Sequence, residues 1–83
     1  MNTVLMFSTT TCNPCKQMKD VMNQVDHTTK AHLQYLDARY DAEQVARFGV
    51  RSVPTLIMLD QDDEIIKTKV GRMNLEEYEA WLE

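Results

Sequence analysis

Two short runs, Val4-Leu5-Met6-Phe7 and Leu56-Ile57-Met58-Leu59, carry no charge and no alternation, and they constrain the fold more than any other feature of this chain. A strand open to water on one face alternates apolar with polar residues, whereas an unbroken apolar run belongs to a strand covered on both faces. The strands predicted over Asn2–Phe7 and Thr55–Leu59 are therefore central in a sheet, with helices above and below it.

Three amphipathic segments supply those helices. Pro14 suits a first helical turn, where a missing N–H costs little. Met18, Val21, Met22 and Val25 then form one stripe at i, i+3, i+4 and i+7, predicting a helix from Asn13 to about Thr28. Asp41 and Gln44 have the spacing of a capping box, with Val45 and Phe48 as an apolar edge before Gly49 ends a short second helix. Asn74 with Glu77 caps a third, whose Leu75, Tyr78 and Leu82 face the sheet with Trp81 closing that face.

Between these lie a short strand at Leu33–Asp37 and a hairpin strand at Glu64–Val70. The latter joins Thr55–Leu59 through the polar turn Asp60-Gln61-Asp62-Asp63. In this last strand Ile66, Thr68 and Val70 alternate with Lys67 and Lys69, which predicts apolar residues inward and lysines outward on a sheet edge. The order β-α-β-α-β-β-α describes an α/β class, with a four-stranded mixed sheet flanked by three helices. At 83 residues the chain is expected to be one domain, 1–83.

Charge and hydropathy remove several function classes. The net charge is −4 with no Lys/Arg run, which argues against nucleic acid, since phosphate binding needs clustered cations. No apolar stretch approaches the roughly 20 residues that span a bilayer, so no membrane partner is expected. The N-terminus has neither a basic region nor a long apolar segment of a secretory signal, and the expected location is cytoplasmic.

The chemistry concentrates in Thr11-Cys12-Asn13-Pro14-Cys15-Lys16, which contains both cysteines of the chain. A disulfide over so short a loop removes little chain entropy and makes a poor structural staple. A zinc site normally needs four ligands, and only His27 and His32 remain as further candidates, both near the far end of the first helix. No metal site is predicted. A Cys-x-x-Cys pair beside a β-α-β pattern reads instead as a redox centre. Cys12, just ahead of the helix, meets unpaired N–H groups and the positive end of the helix dipole, which favour a thiolate nucleophile. Cys15, one turn inside and nearer the apolar stripe, is placed as the resolving thiol.

Cys12-Asn13-Pro14-Cys15-Lys16 resembles the thioredoxin Cys-Gly-Pro-Cys-Lys active site. Phe48 to Leu56 is similar to the family segment containing a cis-proline, and Lys69-Val70-Gly71 resembles its later strand and glycine. The likeness covers nearly the whole chain, without the usual N-terminal strand and helix of the family, leaving the minimal core shared with glutaredoxins. It implies a thioredoxin fold and a thiol–disulfide oxidoreductase that reduces protein disulfides. It also implies a cis Pro54 beside the cysteines, with the Val53 backbone pairing to an extended substrate. Thr11, Asn13, Pro14 and Arg51 become candidate substrate contacts around the same site.

By the same resemblance no cofactor is bound. An external reductant, either thioredoxin reductase with NADPH or glutathione, restores the dithiol of a monomer whose substrates could include ribonucleotide reductase. The alternatives are a glutaredoxin-like glutathione-dependent reductase and a non-catalytic binding subunit. The chain departs from the family at Thr11, where thioredoxins carry Trp. Met6 and Leu33 align with the family's buried acid and its lysine partner, so the usual proton-handling pair is absent, and Asp37, the nearest substitute, has the character of a strand-end polar residue.

Overall fold

A computed structural model describes residues 1–83 and contains β1 (Asn2–Ser8), α1 (Asn13–Asn23), β2 (Ala31–Asp37), α2 (Ala42–Phe48), β3 (Thr55–Leu59), β4 (Ile65–Val70) and α3 (Leu75–Leu82). The four strands form one mixed sheet in the order β2-β1-β3-β4. β1 runs parallel to β2 and antiparallel to β3, and β3 pairs antiparallel with β4. The two uncharged runs are thus the two inner strands, and every residue from Val4 to Phe7 and from Leu56 to Leu59 is buried.

The pleat sends alternate residues of these strands to opposite sides. Val4, Met6, Leu56 and Met58 join Cys15, Met18 and Met22 of α1 and Tyr78 of α3 in one core cluster. Leu5, Phe7, Ile57 and Leu59 join Leu36 on the other side, where Val45 and Phe48 of α2 pack against them. Truncating any of the fully buried large side chains to Ala would remove about 2–5 kcal/mol through lost transfer energy and the cavity left behind.

Three local expectations are corrected. α1 ends at Asn23 instead of Thr28. The N–H groups of Gln24 and Val25 bond back only three residues, to Val21 and Met22. Asp26 then accepts from the backbone N–H and hydroxyl of Thr28, a local bond that competes with a continuing helix.

The second correction concerns Asp41, which makes no capping bond to α2. Its carboxylate accepts instead from the Asp37 N–H at 2.9 Å, tying the end of β2 to the start of the helix. Gly49 does end α2 as expected, at φ 65°.

The third is the facing of β4. Register places Lys69 opposite Leu56 and Lys67 opposite Met58, on the α1/α3 side, and Thr68 opposite Ile57 on the α2 side. Ile66 and Val70 are accordingly exposed, at 48% and 61%. The lysine stems cover the sheet while the charged heads reach water, and the Lys67 ammonium lies 5.4 Å from the centre of the Trp81 ring. Alternation identified the strand, but the hairpin decided which face was inner. Its turn is held by the Asp60 carboxylate, which accepts from the N–H groups of Asp62 at 2.8 Å and Glu64 at 3.0 Å.

α3 forms as expected, with a complete capping box: Asn74 accepts from the Glu77 N–H at 2.8 Å and Glu77 accepts from the Asn74 N–H at 3.0 Å.

Candidate active site

β1 ends at Ser8, and the hydroxyl-rich stretch Thr9-Thr10-Thr11 carries the chain to α1. Cys12 is the N-cap of that helix, in an extended conformation, and Pro14 lies in the first turn. The Cys12 sulfur takes the place of the usual cap oxygen and accepts from the Cys15 N–H at 3.2 Å. A backbone donor aimed at this sulfur, at the positive end of a helix, stabilises negative charge on it.

Cys12 and Cys15 are joined as a disulfide, with their α-carbons 5.2 Å apart. The two sulfurs differ in surroundings. Cys12 is half-buried and faces the rim, whereas Cys15 is 1% exposed and belongs to the α1/α3 core. That cluster also contains Met6, Met18, Met22, Met58 and Met73, and no carboxylate is buried in the chain. Apolar burial disfavours a thiolate, so reduction would leave Cys12 the more readily ionised of the pair.

Two more loops converge on the cysteines. The Val53 carbonyl oxygen lies 3.9 Å from the Cys12 sulfur, and the Val53–Pro54 peptide is cis, as the resemblance implied. The Thr55 hydroxyl donates to the Ser52 carbonyl at 2.7 Å and closes this loop. From the far side, the Gly71 N–H donates to the Pro54 carbonyl at 2.9 Å, with Gly71 at φ 97°, a conformation that L side chains rarely adopt. The loop after Gly71 is anchored below by the Met73 N–H, which donates to the Met18 thioether at 3.3 Å.

Every candidate contact residue lies at this end of the sheet. Thr11, Asn13 and Pro14 are exposed beside the cysteines, Pro54 is buried beneath them, and Val53 is half-buried. Arg51 is exposed on the wall of a groove of about 270 Å³, whose other walls include Thr9, Val45, Val50 and Val53. Thr9, Val45 and Val50 join the site although no motif in the sequence marks them. Val45 carries the sequence signature of a helix edge and Val50 follows the Gly49 cap, and only the fold turns both toward the Val53 loop.

Asp37 does not stand in for a buried acid. Its carboxyl is held below the usual carboxylate range, first by the backbone N–H of Arg39 and then by the Arg39 side chain. The Arg39 Nε lies 3.4 Å from that carboxylate and its Nη2 donates to the Thr10 hydroxyl at 2.8 Å. Arg39 thus links the end of β2 to the loop preceding Cys12. Met6, at the position of the family's acid, is fully buried. Of the two histidines, His32 is exposed, while His27 is half-buried with its Nε2 2.8 Å from the Tyr78 hydroxyl.

A family model described as thioredoxin matches residues 1–83. The thioredoxin of Bacillus subtilis (strain 168) is 34% identical over 62 residues, covering 72% of this chain and 59% of that protein. A prophage-derived thioredoxin-like protein from the same organism is 35% identical over 60 residues, with 72% of this chain and 70% of that one covered. The Pseudomonas aeruginosa thioredoxin is 32% identical over 74 residues, with coverages of 87% and 68%. Among solved structures, a mutant thioredoxin from Halobacterium salinarum NRC-1 superposes with a TM-score of 0.87 at 23% identity, over 98% of this chain and 71% of that one. This last likeness concerns the fold.

Proposed function

The chain belongs to the thioredoxin family, and from that premise we propose that it is a thiol–disulfide oxidoreductase that reduces disulfides of protein substrates through Cys12 and Cys15. The observation that carries the reading is the asymmetry of the pair: one sulfur half-buried at a helix N-cap with a backbone donor on it, the other enclosed in the core.

In the reduced protein, the Cys12 thiolate attacks one sulfur of a substrate disulfide. A Cys12–substrate bond forms, the substrate S–S bond breaks, and the leaving thiolate takes a proton from water. Cys15 then loses its proton and attacks the Cys12 sulfur, forming the Cys12–Cys15 bond and releasing the second substrate thiol. Substrate gains two electrons and two protons, and the protein dithiol loses them. Ser8 and Thr55 are the only buried polar residues and no carboxylate is buried, so the Cys15 proton passes to water, a loop hydroxyl or the departing substrate thiolate.

The Val53 carbonyl beside Cys12 supports a role in aligning an extended substrate segment, with Pro54 beneath it and Thr11, Asn13, Pro14 and Arg51 around it. The reading extends to a monomer acting as one domain in the cytoplasm, with no metal and no bound cofactor. A reductase fed by NADPH recycles it in preference to glutathione, and ribonucleotide reductase is a candidate substrate. The relatives named above are thioredoxins and a thioredoxin-like protein, which weighs against the glutaredoxin-like alternative. Two sulfurs placed for exchange weigh against a non-catalytic subunit.

The test is dithiothreitol-driven reduction of insulin by the native protein, Cys12→Ser and Cys15→Ser. Turnover is expected from the native protein alone, with a trapped mixed disulfide in Cys15→Ser. Absence of native turnover would count against general protein-disulfide reduction, and undiminished turnover in Cys12→Ser would remove its assignment as nucleophile.

A further inference from the structure

We propose that the face around Cys12 is built to dock disulfides flanked by acidic residues, an inference that rests on the reductase reading above and names its substrate class. Three segments converge around Cys12: the start of α1, the Val53–Pro54 loop beside the sulfur, and the Gly71 loop, which is bonded to Pro54. Lys16 in the first turn of α1, Arg51 in the second segment and Arg72 in the third are exposed cations. The only ion pair in the structure is Arg39–Asp37, and Lys19, Arg39, Arg47 and Lys67 lie over aromatic rings. Lys16, Arg51 and Arg72 have no such partner, so their charge is free for a ligand.

The same loops hold no negative charge. There is no Asp or Glu from Phe7 to Lys19, from Phe48 to Leu59 or from Ile65 to Leu75. The carboxylates of Asp60, Asp62, Asp63 and Glu64 gather at the β3–β4 turn, at the opposite end of the sheet from Cys12. Of the carboxylates at the Cys12 end, Asp37 is paired with Arg39 and Asp41 accepts from the Asp37 N–H at the close of β2, so a net charge of −4 conceals a locally positive face around the reactive sulfur. Fields of this kind steer complementary partners and accelerate encounter more than they tighten the final complex.

The apolar groove beside Val53, with Arg51 on its wall, adds a second element of recognition. A segment attached at Cys12 and running along Val53 can lay an apolar side chain against Val45 and Val50 and a carboxylate against Arg51. An acidic protein segment satisfies both requirements.

The experiment uses the protein reduced beforehand, whose two thiols hold the two electrons of a single turnover, so that no further reductant enters. Two peptides are compared, each closed by one disulfide and differing only in Glu or Lys beside the half-cystines. Each rate constant is divided by that of dithiothreitol on the same peptide, which removes intrinsic differences in disulfide reactivity. At about 20 mM salt the Glu peptide is expected to react about tenfold faster on this scale, with the advantage falling below about threefold near 500 mM. Arg72→Glu is expected to cut the low-salt advantage at least about threefold. Lys30→Glu, the same charge change at the other end of the sheet, should retain it.

Equal normalised rates at low salt, or an equal loss from Lys30→Glu, would overturn the proposal. Reduction of neither peptide by a protein whose two thiols titrate would instead overturn the underlying reductase reading, and the proposal with it.

Discussion

The imidazole of His27, in the turn after α1, lies 2.8 Å from the hydroxyl of Tyr78, a fully buried side chain of α3. The rings are 5.8 Å apart, and Trp81 also stacks on Tyr78, at 6.4 Å. A neutral His27 Nε2 can accept the phenol's proton. A protonated ring cannot, and the Tyr78 O–H then loses its acceptor.

Stability should therefore fall on the acid side of neutrality. Burial, the largest influence, lowers the His27 pKa below its ordinary 6.5; Lys30 acts in the same direction, while the Val25 backbone and Asp26 oppose it. The native state binds fewer protons than the unfolded chain, so stability is fully present above pH 6.5 and is lost as pH falls through that value toward the lowered one. Urea midpoints measured from pH 8 to pH 5.5 should decline, and His27→Gln should flatten the decline. An equally steep decline in the variant would assign it to other groups.

Tyr78 is expected to contribute mainly through its ring. Tyr78→Phe removes the hydroxyl and its bond to His27, at a cost of about 1 kcal/mol. Tyr78→Ala, which empties the centre of the α1/α3 cluster, should cost about 3–5 kcal/mol. Urea denaturation of the two variants measures the ratio, and similar losses would show that the ring is not the principal anchor.

Met18 and Met22 are both buried in α1, yet only the Met18 sulfur accepts a hydrogen bond, from the Met73 N–H. Leucine is nearly isosteric with methionine, so Met22→Leu should cost less than about 1.5 kcal/mol. Met18→Leu also orphans a buried donor and should cost about 1–3 kcal/mol more. Hydrogen exchange should show a more mobile Met73 amide in Met18→Leu alone.

Asn74→Ala opens the capping box of α3 and should lower stability by about 1 kcal/mol. Gly49→Ala places a side chain at φ 65°, where the surroundings leave room but the backbone does not favour an L residue, and should cost about 1–2 kcal/mol. Thermal melts of the two variants check both values. An unchanged midpoint in Gly49→Ala would mean that α2 can end without a left-handed residue.

Much of the fold was legible because its signals are local. The uncharged runs identified the two inner strands, and β3 falls at Thr55–Leu59 as read from the sequence. The Asn74–Glu77 spacing gave the cap of α3, while the identical spacing at Asp41–Gln44 misled, because β2 ends close enough for Asp37 to claim the carboxylate. Alternation in β4 marked a strand and could not say which side faced the core, since a one-residue change of register exchanges the two faces.

At the candidate site, sequence determined the reactive pair. Two cysteines separated by two residues ahead of a Pro-initiated helix restrict the chemistry to a few choices, because spacing, helix onset and thiol ionisation are all set within one turn of chain. Tertiary structure decided what surrounds them. Val53 and Gly71 lie 41 and 59 positions beyond Cys12 (53 − 12 and 71 − 12), and only sheet pairing brings their loops to one end of the molecule. The same pairing separates the cations at that end from the acidic turn at the other. Composition sums charge over the chain, whereas a docking partner meets the charge that the fold has gathered at one place.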